Sequence, residues 1–394
     1  MPHAPTRMKA LKSVLISPSS AGYVFCLSRP EVQGVSPATS SWFFAKVDWN
    51  PKFDNKKAQK VTLEQLIPSL QPCRFVQKKV VASSAFQAGH FARIREKSPE
   101  FIASRQQVTA SIKDAKDWWF VETENYIFLA NLKAKYGTTV KDLQEHIEYL
   151  RDAFEQFMPP RKELTSVSVI RVFGSSGEYV SYVGKDFSWS AGLWSPMRKE
   201  LVIRPPEFGT SKMQKDQFFR VVFHEGLHQY LFYSFDMKEP AVWFNEGHAD
   251  FFSAAVINDK KFSVPEAAHN AKVLEEMMAK KSISIRTLIG MKHEEFYRCD
   301  EKTREDHYAL AWAVIYYLRK GVPLEKNSKY ASILDRYGDA LWETGDGAKA
   351  TDAAFDGIDI DKFQRDFILF WLSPARRSAA LRNNIFKDYN PATK

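Results

Sequence analysis

Residues 218–252 read FFRVVFHEGLHQYLFYSFDMKEPAVWFNEGHADFF, and this stretch decides the predicted fold and chemistry of the chain. It contains an HExxH pattern formed by His224, Glu225 and His228. Residues four apart lie on the same face of a helix, so the two imidazoles would point at one position with Glu225 beside them. Such an arrangement can hold a zinc ion and activate a water molecule.

The helix around this pattern is predicted to run from Lys215 to about Phe235, with apolar residues on nearly every side. A helix of this kind is buried, and an unpartnered polar group inside it would cost on the order of 1–3 kcal/mol. A metal would satisfy both histidines and the glutamate together. The alternative is a pair of core histidines next to a chance glutamate, and the HExxH pattern alone does not exclude it.

Glu246 supplies the residue that a catalytic zinc site would still need. Such a site has three protein ligands and one open position. Glu246 follows His228 by 18 residues, on a second helix predicted from Ala241 to about Ile257. If the two helices pack together, His224, His228 and Glu246 can bind one Zn²⁺ ion.

The HExxH pattern followed by Asn245-Glu246-Gly247 resembles the motifs of the gluzincin metallopeptidases. The resemblance implies that Glu246 is the third zinc ligand and that Asp250 accepts a hydrogen bond from the far nitrogen of a zinc-binding histidine. Asn245 is expected beside the same ligands. The chain departs from the family pattern at His248, where an apolar or aromatic residue is usual, and His248 is predicted to lie on the helix surface.

A looser resemblance covers residues from about 119 to 371 and is to an uncharacterised bacterial group of peptidase-MA-like gluzincins. The segments that carry it include VETENYIFLANL, AGLW, ELVI, SISIRTLIGM and HYALAWAVIYYL. It implies a zincin-like α+β fold, in which a small mixed sheet has its edge strand packed on the HExxH helix and a mostly helical lobe follows. The predicted organisation is an N-terminal extension (1–114), a peptidase domain (115–372) whose sheet and metal helices reach about residue 257, and a C-terminal tail (373–394).

Local patterns predict the elements of that domain. Residues 118–129 are rich in aromatic and β-branched residues and suit a pair of strands or one bent strand. Leu143, Ile147, Leu150, Phe154 and Phe157 recur at helical spacing up to Pro159-Pro160. A buried strand (167–173), a short helix through Tyr182 and a hairpin formed by AGLW and ELVI complete the sheet region. Helices are predicted over 265–278, 284–291, 306–319, 328–337 and 361–371.

The resemblance also implies a mechanism. Glu225 would take a proton from the zinc-activated water and deliver it to the leaving amine. In gluzincins a tyrosine or histidine from the C-terminal part stabilises the oxyanion, and Tyr308 is the first candidate before His307. The predicted edge strand that would align an extended peptide contains Gly192, Leu193 and Trp194.

The charge, the cysteines and the apolar segments of the sequence restrict the possible partners and cellular compartment of the protein. The 394 residues carry a net charge of +9, but the basic residues are scattered and no nucleic-acid motif accompanies them. Cys26, Cys73 and Cys299 are too far apart in sequence to form a CxxC pair and do not suggest a disulfide framework. The N-terminal apolar segment is broken by Ser17 and Pro18, which makes a poor signal peptide, and no segment is long enough to span a bilayer. We therefore expect a soluble protein, cytoplasmic or exported, with a peptide or protein as its partner.

Three functions remain open at this point. The first is a zinc-dependent metallopeptidase, with an endopeptidase favoured because no GxMEN-like motif is present to hold a substrate α-amine. The second is a catalytically silent gluzincin-like domain that binds a peptide or protein in its groove. The third is a zinc hydrolase that acts on a non-peptide amide.

Overall fold

The computed structural model describes residues 8–17, 20–29, 39–48, 97–112, 115–132, 137–188, 190–204, 212–258, 261–325 and 329–383. Their architecture is mixed α+β and mostly helical, with a small mixed sheet and a helical C-terminal part. The chain divides into two compact units, residues 1–88 and residues 89–394.

The first unit contains a three-stranded antiparallel sheet in the order β1 (Met8–Ser17), β2 (Ser20–Arg29) and β3 (Thr39–Asp48). The apolar residues from Trp42 to Val47 lie within β3. A second apolar stretch in this part of the sequence, from Phe75 to Ala82, lies outside the described residues.

Helix α1 (Pro99–Ile112) belongs to the second unit, which places the boundary before residue 89 rather than at the predicted position after residue 114. The reason is packing, because α1 buries Phe101 and Ile112 against Ile127 and Leu129. Those two residues lie on a strand that is buried on both faces. The apolar positions of α1 are too few to predict this from the sequence.

The second unit is built on a five-stranded sheet with the order β4-β5-β6-β8-β7. Strands β5, β6 and β8 are parallel to one another, while β4 and β7 are antiparallel edge strands. The strand bounds are β4 Trp119–Glu122, β5 Tyr126–Ala130, β6 Ser168–Val172, β7 Gly192–Ser195 and β8 Glu200–Ile203. The predicted strand pair, buried strand and hairpin are therefore confirmed.

Two helices lie between these strands in sequence. Helix α2 (Gly137–Phe157) fully buries Leu143, Ile147, Leu150 and Phe154, as the periodicity predicted. Helix α3 (Ser176–Val183) is capped by the Ser175 hydroxyl, which accepts a hydrogen bond from the Glu178 backbone N–H. The buried face of α2 and the sheet belong to the same hydrophobic core.

Helices α4 (Lys212–Ser234) and α5 (Val242–Ser253) carry the two sequence motifs and pack against each other. Gly192 in β7 allows the sheet edge to approach α4, because a Cβ atom at that position would lie 2.9 Å from Cγ1 of Val221. The predicted end of α5 at Ile257 is wrong. A hairpin of β9 (Val256–Asn258) and β10 (Lys261–Ser263) follows instead, and three-residue strands leave no periodic signal.

The rest of the described chain is mostly helical, and helix α9 (Glu301–Tyr316) packs against α5. The tail predicted from residue 373 as a surface appendage instead begins with a helix, whose Arg377 pairs with Glu266 at 2.7 Å and with Glu275 at 3.1 Å. No described helix is long and apolar enough to cross a bilayer. The C-terminal elements are α6 Ala268–Lys280, α7 Ile285–Gly290, α8 His293–Tyr297, α9 Glu301–Tyr316, a π-helical turn Tyr317–Gly321, α10 Ile333–Thr344, α11 Gly347–Phe355, α12 Ile360–Trp371 and α13 Pro374–Arg382.

Candidate metal centre

Helices α4 and α5 bring His224, His228 and Glu246 to one point. One nitrogen or oxygen atom from each of the three lies within 4.8 Å of the others. His224 Nε2 is 3.2 Å from Glu246 Oε2, and His228 Nε2 is 3.5 Å from Glu246 Oε1. Glu246 is buried and the two imidazoles are half-buried, so the cluster remains accessible to solvent at the histidines.

The outer nitrogens of both imidazoles are held by neighbouring acceptors. His224 Nδ1 lies 2.9 Å from Asp250 Oδ1, and His228 Nδ1 lies 2.9 Å from Asn245 Oδ1. Asp250 is itself fixed by Asn270 of α6, whose amide donates to Oδ2 at 2.9 Å. Both oxygens accept hydrogen bonds, so in its neutral form each ring carries the proton on Nδ1 and directs the lone pair of Nε2 toward Glu246.

The carboxylate of Glu246 and the two imidazole nitrogens form an arrangement of acceptor atoms that can bind a cation. Glu246 Oε2 is buried and accepts no hydrogen bond from any described residue, although His224 Nε2 is close by. An unpaired buried carboxylate oxygen is costly, and a metal ion shared with the rings would satisfy it. Two imidazole nitrogens and one carboxylate oxygen form a donor set typical of catalytic zinc.

The electrostatics of the cluster follow from these contacts. Burial opposes protonation of His224, but its hydrogen bond to Asp250 and the nearby carboxylate of Glu246 outweigh burial and raise its pKa well above the usual value. The pKa of His228 is also raised, because the charge of Glu246 outweighs burial. Burial opposes ionisation of Glu246, yet the charge of His228 and the contact with His224 hold its pKa well below the usual value. Glu246 therefore stays ionised next to the two imidazole rings, as a metal ligand must.

Glu225 lies between the cluster and the edge strand β7. The backbone N–H of Trp194 donates to Glu225 Oε2 at 2.7 Å, which fixes the carboxylate beside the two histidines. Burial raises the pKa of Glu225, and the nearby imidazoles only partly offset this. The carboxylate is thus held beside the histidines and accepts a proton more readily than an exposed glutamate does.

Tyr297, which the sequence did not suggest, contacts the cluster directly. Its hydroxyl donates to Glu246 Oε1 at 2.5 Å. Burial and the carboxylate of Glu246 raise the pKa of Tyr297 strongly, so it remains protonated. Tyr297 ends a five-residue helix, which is too short to leave a periodic pattern.

Tyr308, the predicted oxyanion residue, also borders the site. Its ring centroid lies 6.3 Å from that of His224 and 6.4 Å from that of Tyr297. Burial and the carboxylate of Glu246 raise the pKa of Tyr308. His307 is directed elsewhere, with Nδ1 at 3.1 Å from the Phe296 carbonyl oxygen, so Tyr308 is the candidate that faces the cluster.

The predicted surface position of His248 is wrong. Its side chain is fully buried, with Nδ1 at 2.8 Å from the Phe244 carbonyl oxygen. Arg319 of the π-helical turn donates to His248 Nε2 at 3.0 Å. Burial and the positive charge of Arg319 hold the pKa of His248 well below the usual value. His248 is therefore a neutral link between α5 and the C-terminal helices rather than part of the metal cluster.

The comparisons with known proteins add one finding. A family model described as "Protein of unknown function (DUF1570)" matches residues 219–335. The matched segment contains all three candidate ligands, Glu225 and both tyrosines of the site. No curated protein matches the chain significantly.

Proposed function

We propose that this chain is a zinc-dependent metallopeptidase that hydrolyses peptide bonds. The observation that carries the proposal is the cluster of His224, His228 and Glu246 with Glu225 beside it. Three side chains that can bind a metal and a separate half-buried carboxylate are the parts that hydrolysis by an activated water requires.

We further assign the second unit to the zincin-like folds and its site to the gluzincin type. This assignment is supported by the mixed sheet, whose antiparallel edge strand β7 packs on α4, and by the glutamate ligand on a second helix. The contacts of Asp250 and Asn245 with the two imidazoles agree with the roles that the family resemblance implies.

Each residue of the site has a separate role in the proposed hydrolysis. Zinc, when bound, would polarise the scissile carbonyl and lower the pKa of a water molecule. Glu225 accepts a proton from that water and later donates it to the leaving amine, and its raised pKa suits both steps. Tyr308 is the proposed donor to the developing oxyanion, because its hydroxyl is protonated and not engaged as tightly as that of Tyr297.

Strand β7 would align the substrate. In an antiparallel pair, backbone groups alternate between pointing at the partner strand and pointing away from it. The Trp194 N–H is bound to Glu225, so it points away from β8, and the backbone of Gly192 two residues earlier points the same way. An extended peptide pairing with Gly192 and Trp194 would pass directly over Glu225, which supports cleavage of a peptide rather than of a small amide.

The test combines metal analysis with peptide cleavage. We expect one zinc per chain by elemental analysis and chelator-sensitive cleavage of a quenched-fluorescence peptide library. Glu225→Gln should keep the zinc and lose at least about 100-fold in kcat, since general-base catalysis contributes roughly 10²–10⁴-fold. Glu343→Gln, at an exposed position of α10, is the matched control and should behave as the unmodified protein.

The outcomes distinguish the competing functions. Unchanged cleavage by the Glu225→Gln protein would overturn the assigned mechanism. Zinc binding with no cleavage in the library would favour the catalytically silent peptide-binding domain. Turnover of non-peptide amides without turnover of peptides would favour the third alternative.

A further inference from the structure

A large cavity opens between the start of α5, the α7–α8 segment and the start of α11. Its volume is about 860 Å³. Cavities that bury a drug-sized ligand have volumes of roughly 300–1,000 Å³, so this one has room for several residues of a peptide. A single substrate side chain would leave most of it empty.

The cavity reaches the metal cluster through two residues. Asn245 and Tyr297 both line it. Asn245 accepts from His228 Nδ1 and Tyr297 donates to Glu246 Oε1, so each touches a candidate metal ligand on one side and the cavity on the other. A chain that occupies the cavity would therefore end beside the cluster.

The walls of the cavity differ in chemistry between floor and rim. The floor is apolar and includes Val242, Ile289 and Phe355. The rim has opposite charges on facing segments, with Arg286 and Lys292 on the α7–α8 side and Glu239, Asp346 and Asp352 on the other. Apolar side chains with a backbone that needs polar partners match such a surface, whereas a ligand of one net charge would meet repulsion on one side.

We propose that this cavity binds several consecutive residues of the polypeptide on one side of the scissile bond. The inference rests on the proposed peptidase function and deepens it, because a subsite of this length requires a substrate that continues well past the cleavage position. The chain is then an endopeptidase that acts on extended polypeptide. Residues of α7 and α11, outside the metal motifs, would determine how tightly the substrate is held.

Gly290 offers a direct test. It lines the cavity, and a Cβ atom placed on it meets no other atom within 4 Å. Gly290→Trp would therefore fill part of the cavity without a clash in the fold. Gly177 of α3 has equally open surroundings, lies outside the cavity and gives the matched control Gly177→Trp.

Two measurements are made on the full chain with zinc bound. The first is the ratio of kcat/KM for dodecapeptide over tetrapeptide quenched-fluorescence libraries. The second is the affinity of the Glu225→Gln protein for a fluorescein-labelled dodecapeptide library, followed by anisotropy. Gly290→Trp should lower both the ratio and the affinity by about tenfold or more, since contacts made only by the longer peptide are lost. Gly177→Trp should change neither.

The outcomes separate this inference from the function on which it rests. Cleavage with no effect of Gly290→Trp on the ratio or the affinity overturns the cavity assignment and leaves the peptidase proposal standing. Binding that Gly290→Trp weakens, with no cleavage by the unmodified protein, supports the cavity as a peptide site and overturns the peptidase proposal. Absence of both binding and cleavage overturns both.

Discussion

The hydroxyl of Tyr297 lies 2.5 Å from Oε1 of Glu246 and donates a hydrogen bond to it. His228 Nε2 lies farther from the same oxygen, at 3.5 Å. The tyrosine thus fixes the orientation of the carboxylate so that Oε2 faces His224. Hydrogen bonds of this kind to metal-binding side chains determine ligand orientation and metal affinity.

Replacement of Tyr297 by phenylalanine should weaken zinc binding. Loss of a residue that orients a ligand typically costs roughly 10- to 100-fold in metal affinity or activity. We expect a Kd for zinc higher by that factor in Tyr297→Phe, measured by competition with a chromogenic chelator. Tyr308→Phe is the matched comparison, because Tyr308 lies in the same site and is proposed to act on the oxyanion. It should keep its zinc affinity and lose kcat, and equal zinc affinities in all three proteins would contradict the role of Tyr297.

Zinc binding should release protons, and more of them as the pH falls. The pKa values of His224 and His228 are raised above the usual value of about 6.5, so the imidazoles of the metal-free site keep their protons to a higher pH than a free histidine does. Zinc binds the deprotonated rings, and its affinity must therefore fall as the pH is lowered through the raised pKa values. Calorimetry in buffers of different ionisation enthalpy measures the protons released. A release that is zero from pH 6 to 8 would contradict the charges assigned to the cluster.

The sequence predicted the parts of the site that depend on local spacing. His224, Glu225 and His228 share one helix face. Glu246 and Asp250 share a face of the next helix, so helical spacing alone places the residues of each set side by side. Tyr297 escaped prediction because it joins the site through tertiary packing, 51 residues after Glu246. His248 was misplaced for the same reason, since its partner Arg319 lies 71 residues away. The burial of a residue on α5 cannot be predicted from local spacing, because it depends on the C-terminal helices that pack against this helix.

Because Lys320 is buried, we expect the free energy of unfolding to depend on pH. This dependence does not involve the metal site. Lys320 is 2% exposed, and its ammonium donates to the Val264 carbonyl at 3.2 Å. Burial lowers the pKa of Lys320 to about 8, from an ordinary value of 10.5. Between these two values the unfolded chain binds a proton that the folded chain does not, so folding becomes more favourable as the pH rises.

Lys320→Met should abolish that contribution. The free energy of unfolding of the unmodified protein, minus that of the variant, should rise by on the order of 2 kcal/mol from pH 7 to 10, as about 1.4 kcal/mol corresponds to each pKa unit. Urea unfolding at several pH values measures the difference, in which other titrating groups cancel. A flat difference would show that Lys320 titrates normally in the folded state.

Gly247, between Glu246 and His248, lies where α5 and α9 approach most closely. A Cβ atom at this position would lie 2.6 Å from the Ala311 carbonyl oxygen and 2.7 Å from Ile315 Cγ1. Such a contact forces the helices apart, and overpacking of a core typically costs about 1–3 kcal/mol. Gly247→Ala should therefore lower the free energy of unfolding by about that amount, despite the helix propensity that alanine adds.

Gly290→Ala is the control for this substitution, because its Cβ would meet nothing within 4 Å. Alanine at an unobstructed helical position restricts the unfolded chain and stabilises a protein by about 0.4–1 kcal/mol. The two variants should thus shift the urea midpoint in opposite directions. Equal shifts would mean that α5 and α9 can separate freely. In that case the backbone next to Glu246 is not fixed by α9, and the position of the third metal ligand would have to depend on Tyr297 instead.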